Sequence, residues 1–301
     1  MKIISKKERV LIVLDVVFVI VIFIFFISNY LHTNTDESPD ISEQNSEQII
    51  EDVETEEDTK IIDFQPVIDE WINTVSGNKS VIIYDLDNDR LVGSYNEEEN
   101  YNIASLYKLF VVYEGYRRLQ SGEWNIGEAA GSTGYTILEC LDLAIRESYS
   151  PCAETLWYKI GQDELDEIII NDYKINNSDI SSITSNPNDI LSILKLFYSH
   201  PDISDEALIT RMKDSFLNQP RTTYNWRQGL PSGFSRANVY NKVGWDYNDE
   251  AGYWNVYHDA AIIEFPEDNR HFAVIVMTEY IPYRKISDLG SLIENYFYNN
   301  N

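Results

Sequence analysis

The chain has 301 residues, with 23 Lys and Arg against 50 Asp and Glu and a formal net charge of −27. A surface this acidic repels a phosphate backbone, which is held by cations that displace its counterions, so nucleic-acid binding is excluded. At 44% hydrophobic and 13% aromatic residues the chain is too apolar to be disordered throughout, and two cysteines, Cys140 and Cys152, are too few for a disulfide scaffold or a four-thiolate zinc site.

From Leu11 to Ile27 the sequence reads LIVLDVVFVIVIFIFFI, interrupted by Asp15 alone, and with its flanks it reaches the roughly 20 residues that cross a bilayer as a helix. Residues 10–31 are therefore expected to form one transmembrane signal anchor. Lys2, Lys6, Lys7 and Arg9 precede it and an acidic segment follows. The positive-inside rule then leaves residues 1–9 in the cytoplasm and carries the rest of the chain outside the plasma membrane. No small-x-small site follows the apolar run, which argues against a cleaved signal peptide. Asp15 lacks a visible polar partner and reads as a carboxylate tolerated near the cytoplasmic end rather than a functional one. Residues 32–61 are predicted to be an acidic linker, since 33–60 contains no aromatic residue and cannot bury enough apolar surface to fold. Like charges extend such a linker and hold a domain off the membrane.

Residues 62–301 read as one domain. Asp63 to Val75 places Phe64, Val67, Ile68, Trp71 and Ile72 at helical spacing, ending near Gly77. Ser80–Asp85 and Arg90–Tyr95 are short β-type runs joined by Leu-Asp-Asn-Asp, a hairpin. The alternation of Asp85, Asp87 and Asp89 lacks the glycine and terminal glutamate of a calcium loop, so turn chemistry accounts for it. Ser105 to Gln120 predicts a buried helix beginning at Ser105, with Gly122 where a C-terminal cap belongs. Residues 134–217 are mostly helical in pattern, with loop signals at Asn176–Ser178 and Asn186–Asn188. Val239–Val243, Tyr257–Phe265 and Phe272–Thr278 read as strands, and Ile286 to Tyr298 as a closing helix. This is an α+β layout. An antiparallel sheet is built from the N-terminal hairpin and the C-terminal strands, flanked by helices and an all-helical subdomain.

His32, His200, His258 and His271 have no HExxH spacing, and the chain holds no Walker or dinucleotide-loop glycines, so neither metal nor cofactor is expected. His258 and Asp259 lie in one strand-like run, face opposite sides of the sheet and cannot be neighbours in a triad; His258 reads as structural. The informative feature is Ser105-Leu106-Tyr107-Lys108. The same spacing occurs at Ser76–Lys79 and Ser192–Lys195, so spacing alone means little. Ser105 is set apart because it opens an apolar helix, which stacks Lys108 one turn on, on the same face. An amine whose pKa is lowered can serve as the base that a hydroxyl nucleophile needs. Ser148-Tyr149-Ser150 and Lys242-Val243-Gly244-Trp245 follow in the chain.

With S-x-x-K, a Ser-x-Ser and a Lys-x-Gly in that order, residues 62–301 resemble the class A β-lactamases and penicillin-binding proteins, whose signature is S-x-x-K, S-D-N and K-T-G. The resemblance implies a serine β-lactamase/DD-peptidase-like fold with Ser105 as the acylated nucleophile and Lys108 as its proton acceptor. It implies that Ser148 relays a proton to the leaving nitrogen, and that Lys242 attracts the substrate carboxylate and holds down the pKa of Lys108. The oxyanion would lie between the backbone N–H groups of Ser105 and Trp245. Ser150, Val243, Gly244 and Trp245 would line the substrate site, with Tyr107 as a further lining residue. The expected substrate is a β-lactam or a peptidoglycan-peptide-like amide ending in D-Ala-D-Ala.

Three departures bear on activity. Tyr149 and Ser150 replace Asp and Asn, Val243 removes a hydroxyl that would bind the substrate carboxylate, and the loop before Thr184 has no E-x-x-L-N glutamate, which predicts slow deacylation. Asp172 and Asp179 are nearby carboxylates that nothing in the sequence places beside Ser105. The alternatives are a working β-lactamase whose base the sequence does not reveal and a catalytically impaired pseudo-enzyme that binds cell-wall peptide or a partner protein. Cys140 and Cys152 flank the Ser148 segment and are expected to form a disulfide bracing it, the alternative being two buried free thiols.

Overall fold

In the computed structural model residues 61–217, 227–248 and 252–300 are described. The expected anchor at 10–31 and nearly all of the acidic linker at 32–61 lie outside them; among the described residues no helix is long and apolar enough to cross a membrane.

The chain enters through helix α1 (Gln65–Ile72), with Pro66 in its first turn, and the hairpin β1 (Asn78–Asp85) and β2 (Arg90–Tyr95). The carboxylate of Asp85 closes the turn: it accepts from the backbone N–H groups of Asp87 and Asn88 at 3.2 and 3.1 Å and from Arg270 at 2.7 Å. A short strand β3 (Tyr101–Asn102) leads into a 3-10 turn at Ala104–Leu106 and helix α2 (Tyr107–Gln120). Ser105 thus sits in a tight turn ahead of the helix instead of opening it. At the other end Gly122 takes φ +77° and donates its N–H to Leu119 O at 3.1 Å, the left-handed stop the sequence predicts.

Four more helices surround α2: α3 (Ile137–Arg146), α4 (Ser150–Ile160), α5 (Gln162–Asn171) and α6 (Pro187–Ser199), followed by α7 (Glu206–Leu217). Between α5 and α6 a loop carries β4 (Thr184–Ser185), which pairs with β3. Asn186-Pro187-Asn188, expected to be loop, starts α6: Asn186 Oδ1 accepts from Asp189 N–H at 2.9 Å and Pro187 fills the first helical position, where no N–H is needed. After a second 3-10 turn at Leu230–Gly233 come β5 (Asn238–Asn248), β6 (Tyr253–Phe265), β7 (Arg270–Glu279) and the closing helix α8 (Tyr283–Asn300). The strands run longer than predicted because aromatic residues extend the β5–β6 hairpin.

The antiparallel sheet has the order β2-β1-β7-β6-β5, so the last strand joins the first hairpin to the C-terminal strands. Alternation divides its side chains into two cores. Ile82, Ala260, Ile275 and Met277 pack against the helical subdomain, while Val81, Ile83, Ile263, Val274 and Val276 pack against α1 and α8, where Trp71 and Phe297 are buried. Among the described strands β5 ends the sheet on the side of the Lys-Val-Gly segment, leaving one of its backbone edges unpaired.

Candidate active site

Ser105 is half-buried at the centre of its turn. Ala104 before it has φ +46°, a conformation that L residues adopt at a cost of about 1–3 kcal/mol and hold only when neighbours over-determine it. The neighbours are visible. Ala104 N–H donates to Asn102 Oδ1 at 2.9 Å, Ile103 N–H to Ile183 O at 3.0 Å and Leu106 N–H to Ile103 O at 3.0 Å. His258 completes the brace. Its Nδ1 accepts from Thr278 N–H at 3.0 Å, so its proton is on Nε2, which donates to Asn102 O at 2.8 Å. Burial brings this imidazole down to about 4, so it is neutral near pH 7. The structural reading of His258 holds, and its ring pins the strand that leads into the Ser105 turn.

Lys108 is fully buried in the first turn of α2. Its Nζ donates to Ser148 O at 2.6 Å, Ser148 Oγ at 3.2 Å and Ser150 Oγ at 3.0 Å. Burial lowers its pKa to about 7, against the opposing charge of Glu154. Lys242, on β5 and also buried, donates to Ser148 Oγ at 2.9 Å and to Val243 O at 2.7 Å. Burial holds its pKa well below the ordinary lysine value; the charge of Lys108 adds to this and Asp259 opposes it. The low pKa of Lys108 therefore comes first from its own burial, and the repulsion expected from Lys242 appears on Lys242 instead.

Ser148 is the shared partner of both amines. It lies between α3 and α4 with φ +52°. The disulfide Cys140–Cys152, with a Cα separation of 4.8 Å, joins the two helices on either side of it. Tyr149 N–H donates to Leu143 O at 3.0 Å and closes the same bend. Ser150, the shorter replacement for an amide, still reaches Lys108.

Gly244 brings β5 against the turn: a Cβ there would meet Ile103 O at 2.5 Å and Leu106 Cγ at 2.8 Å. Trp245 turns its ring away to stack on Tyr283, with centroids 5.4 Å apart, so its side chain does not line the cleft and only its backbone remains available to substrate. Val243 is buried and apolar and offers no hydroxyl. Tyr107, expected to line the cleft, is buried and packs on Trp157 with ring centroids 5.2 Å apart, and Lys108 Nζ lies 5.7 Å from the centroid of its ring.

Neither loop carboxylate joins the site. Asp172 pairs with Arg117 at 3.4 Å, and Asp179 accepts from the N–H and hydroxyl of Ser182 at 2.9 and 2.8 Å. Asp259 lies on the far face of the sheet, as alternation predicts, accepting from Leu230 N–H at 2.8 Å and Asn241 Nδ2 at 2.9 Å. The bond from Ser150 to Lys108 and the brace by His258 were missed at the sequence level, since both depend on contacts between distant segments.

A sequence model of the beta-lactamase enzyme family matches residues 63–297. No curated protein matches. Among solved structures the chain is similar to a β-lactamase from Chitinophaga pinensis DSM 2588, at 15% identity and a TM-score of 0.64 over 77% of this chain and 97% of that one. It is similar to the TLA-1 extended-spectrum β-lactamase at 15% identity, TM-score 0.65, over 78% and 98%. An ancestral class A β-lactamase matches at 17% identity, TM-score 0.63, over 77% and 99%. At these identities the structural likeness shows the fold.

Proposed function

The chain belongs to the beta-lactamase enzyme family, and on that premise we propose that it is a serine hydrolase or acyltransferase acylated at Ser105 by β-lactams or D-Ala-D-Ala-type amides, with slow release of the acyl group. The observation that carries this reading is the pair of buried amines on one hydroxyl: Ser148 Oγ is 3.2 Å from Lys108 Nζ and 2.9 Å from Lys242 Nζ. A lysine brought to about 7 by burial is substantially neutral at physiological pH and can take a proton.

In this reading neutral Lys108 takes the proton of Ser105 as its Oγ bonds to the substrate carbonyl carbon. Within the amine's present contacts, Ser148 O can only accept, while the Ser148 and Ser150 hydroxyls can either accept or donate. Deprotonating Lys108 therefore needs only a hydroxyl rotation. As the C–N bond breaks, Ser148 gives its proton to the leaving nitrogen and takes in its place the one that Lys108 gained from Ser105. The N–H groups of Ser105 and Trp245 hold the oxyanion, and Lys242 attracts the substrate carboxylate. The substrate lies along the open edge of β5. The commitment of Asp172 and Asp179 to other partners supports slow deacylation.

We place the domain at residues 62–301, outside the membrane on the linker at 32–61 and the anchor at 10–31; the apolar run and flanking charges support this. A second reading, a pseudo-enzyme that uses the cleft to bind wall peptide or a partner protein, is favoured by the buried apolar Val243. Intact-mass measurement of the full-length protein with several penicillins separates the two. An adduct on wild type and none on Ser105→Ala is the expected result, and no Ser105-dependent adduct favours the binding protein.

A further inference from the structure

Releasing an acyl group from serine requires a base for the attacking water, and the loop between α5 and β4 commits Asp172 to Arg117 and Asp179 to Ser182. A different element faces the buried lysine. Helix α4 presents one side to the start of α2: Ser150 Oγ stands 3.0 Å from Lys108 Nζ, and seven residues on, Trp157 packs on Tyr107 with ring centroids 5.2 Å apart. Residues i, i+4 and i+7 of a helix share a face, so the residue between those two contacts is fixed by the register. It is Glu154. Trp157 is buried and Ser150 half-buried, whereas Glu154 is exposed, which puts it where this face opens to water. Among the described residues its carboxylate takes no hydrogen bond or ion pair. Its charge acts on both Lys108 and Tyr107, raising the proton affinity of each.

We propose that Glu154 is the general base of deacylation, supplied by the helix that follows the Ser-x-Ser segment instead of by the loop. This rests on the proposed acylation of Ser105. Water adds to the ester carbon and gives one proton to the Glu154 carboxylate. The tetrahedral intermediate collapses with cleavage of the bond between that carbon and Ser105 Oγ. The proton held on Glu154 passes through water to Lys108 and from Lys108 to Oγ, the carboxylic acid leaves, and the amine is neutral again for the next acylation. An exposed base held by no neighbour must find its geometry anew in each turnover, which accounts for slow release without requiring none.

The test labels full-length wild type and Glu154→Gln with a fluorescent penicillin, removes free label and follows its loss from Ser105. The expected result is acylation within about twofold of wild type and label loss slowed about 100-fold, the low end of what a general base contributes. Hydroxylamine, a nucleophile strong enough to act without the base, restores release in the variant, while Asp172→Asn and Asp179→Asn lose label as wild type does. Unchanged loss in Glu154→Gln, slowed loss that hydroxylamine does not relieve, equal slowing in either aspartate variant, or a wild-type label that never leaves would each overturn this inference and leave acylation standing. Absence of Ser105-dependent label on wild type would instead overturn the proposed function itself.

Discussion

A Cβ on Gly244 would stand 2.5 Å from the carbonyl oxygen of Ile103, so the edge strand and the turn carrying the proposed nucleophile are in direct contact through a residue with no side chain. Ile103 O also accepts the N–H of Leu106 at 3.0 Å, closing the turn around Ser105. Gly244→Ala is expected to push the turn off the strand. Overpacking of this kind costs about 1–3 kcal/mol. Acylation by a labelled penicillin should fall more steeply than the urea midpoint, because the displaced atoms belong to the site. A variant that acylates at the wild-type rate would show that turn and strand separate freely.

Lys108 supplies a pH dependence with a definite sign. Burial lowers it from 10.5 to about 7. Its neutral fraction, and with it the acylation rate, should rise about tenfold per pH unit below pH ~7 and level off above. Linkage runs the same way: between about 7 and 10.5 the unfolded chain binds more protons at this residue, so stability rises with pH across that window. Stopped-flow acylation from pH 5 to 9 checks the first, and a pH-independent rate would remove Lys108 from the role of base.

The parts of this site that were legible in the sequence are those set by local periodicity. The serine-to-lysine spacing, the hairpin at 80–95 and the alternation that separates His258 from Asp259 follow from positions a few residues apart. The turn at Ala104 was not legible, because an alanine at positive φ carries no sequence signal and is held by Asn102, Ile183 and His258 acting together. The same holds for Ser148, which takes a left-handed conformation that glycine or asparagine would have advertised. Strand order also depends on distant pairing, with β7 inserted between β1 and β6. The placement of Lys242 beside Ser148 follows from that order and from no spacing in the chain.

The disulfide should act on stability and on Ser148 together. Cys140 and Cys152 are 12 residues apart, a loop whose closure in the unfolded chain corresponds to about 3 kcal/mol on a chain-entropy basis. Cys140→Ser with Cys152→Ser is expected to lower stability by about that amount and to slow acylation, since the bend joining α3 to α4 holds the hydroxyl between the two lysines. Chemical denaturation and label uptake on the same preparation check both. A variant with lowered stability and unchanged acylation would confine the disulfide to a structural role.

Asp259 should give the stability curve a slope opposite to that of Lys108. Burial raises its carboxyl from 3.8 to about 7, partly offset by hydrogen bonds from Asn241 and Leu230 and by the charges of Arg227 and Lys242. The folded chain therefore binds more protons at this position between about 3.8 and 7, and the contribution to stability is complete below that window and lost as pH rises through it. His258 has the opposite sign, because its imidazole is brought from 6.5 to about 4 and stability falls as pH drops across that interval. The two partly cancel in wild type, so a flat profile alone would be uninformative. Asp259→Asn removes one of them. Its amide oxygen can accept from Leu230 N–H and its NH₂ can face Asn241 once that side chain turns its oxygen inward; this gives up the Arg227 donation to Asn241 Oδ1, a loss that does not vary with pH, and leaves no titrating group. Urea midpoints from pH 4 to 8 should show the variant gaining on wild type as pH rises, with the change centred between about 4 and 7. A difference between the two proteins that does not vary with pH would mean that Asp259 stays charged throughout, held by Arg227 and Lys242 more strongly than its burial opposes.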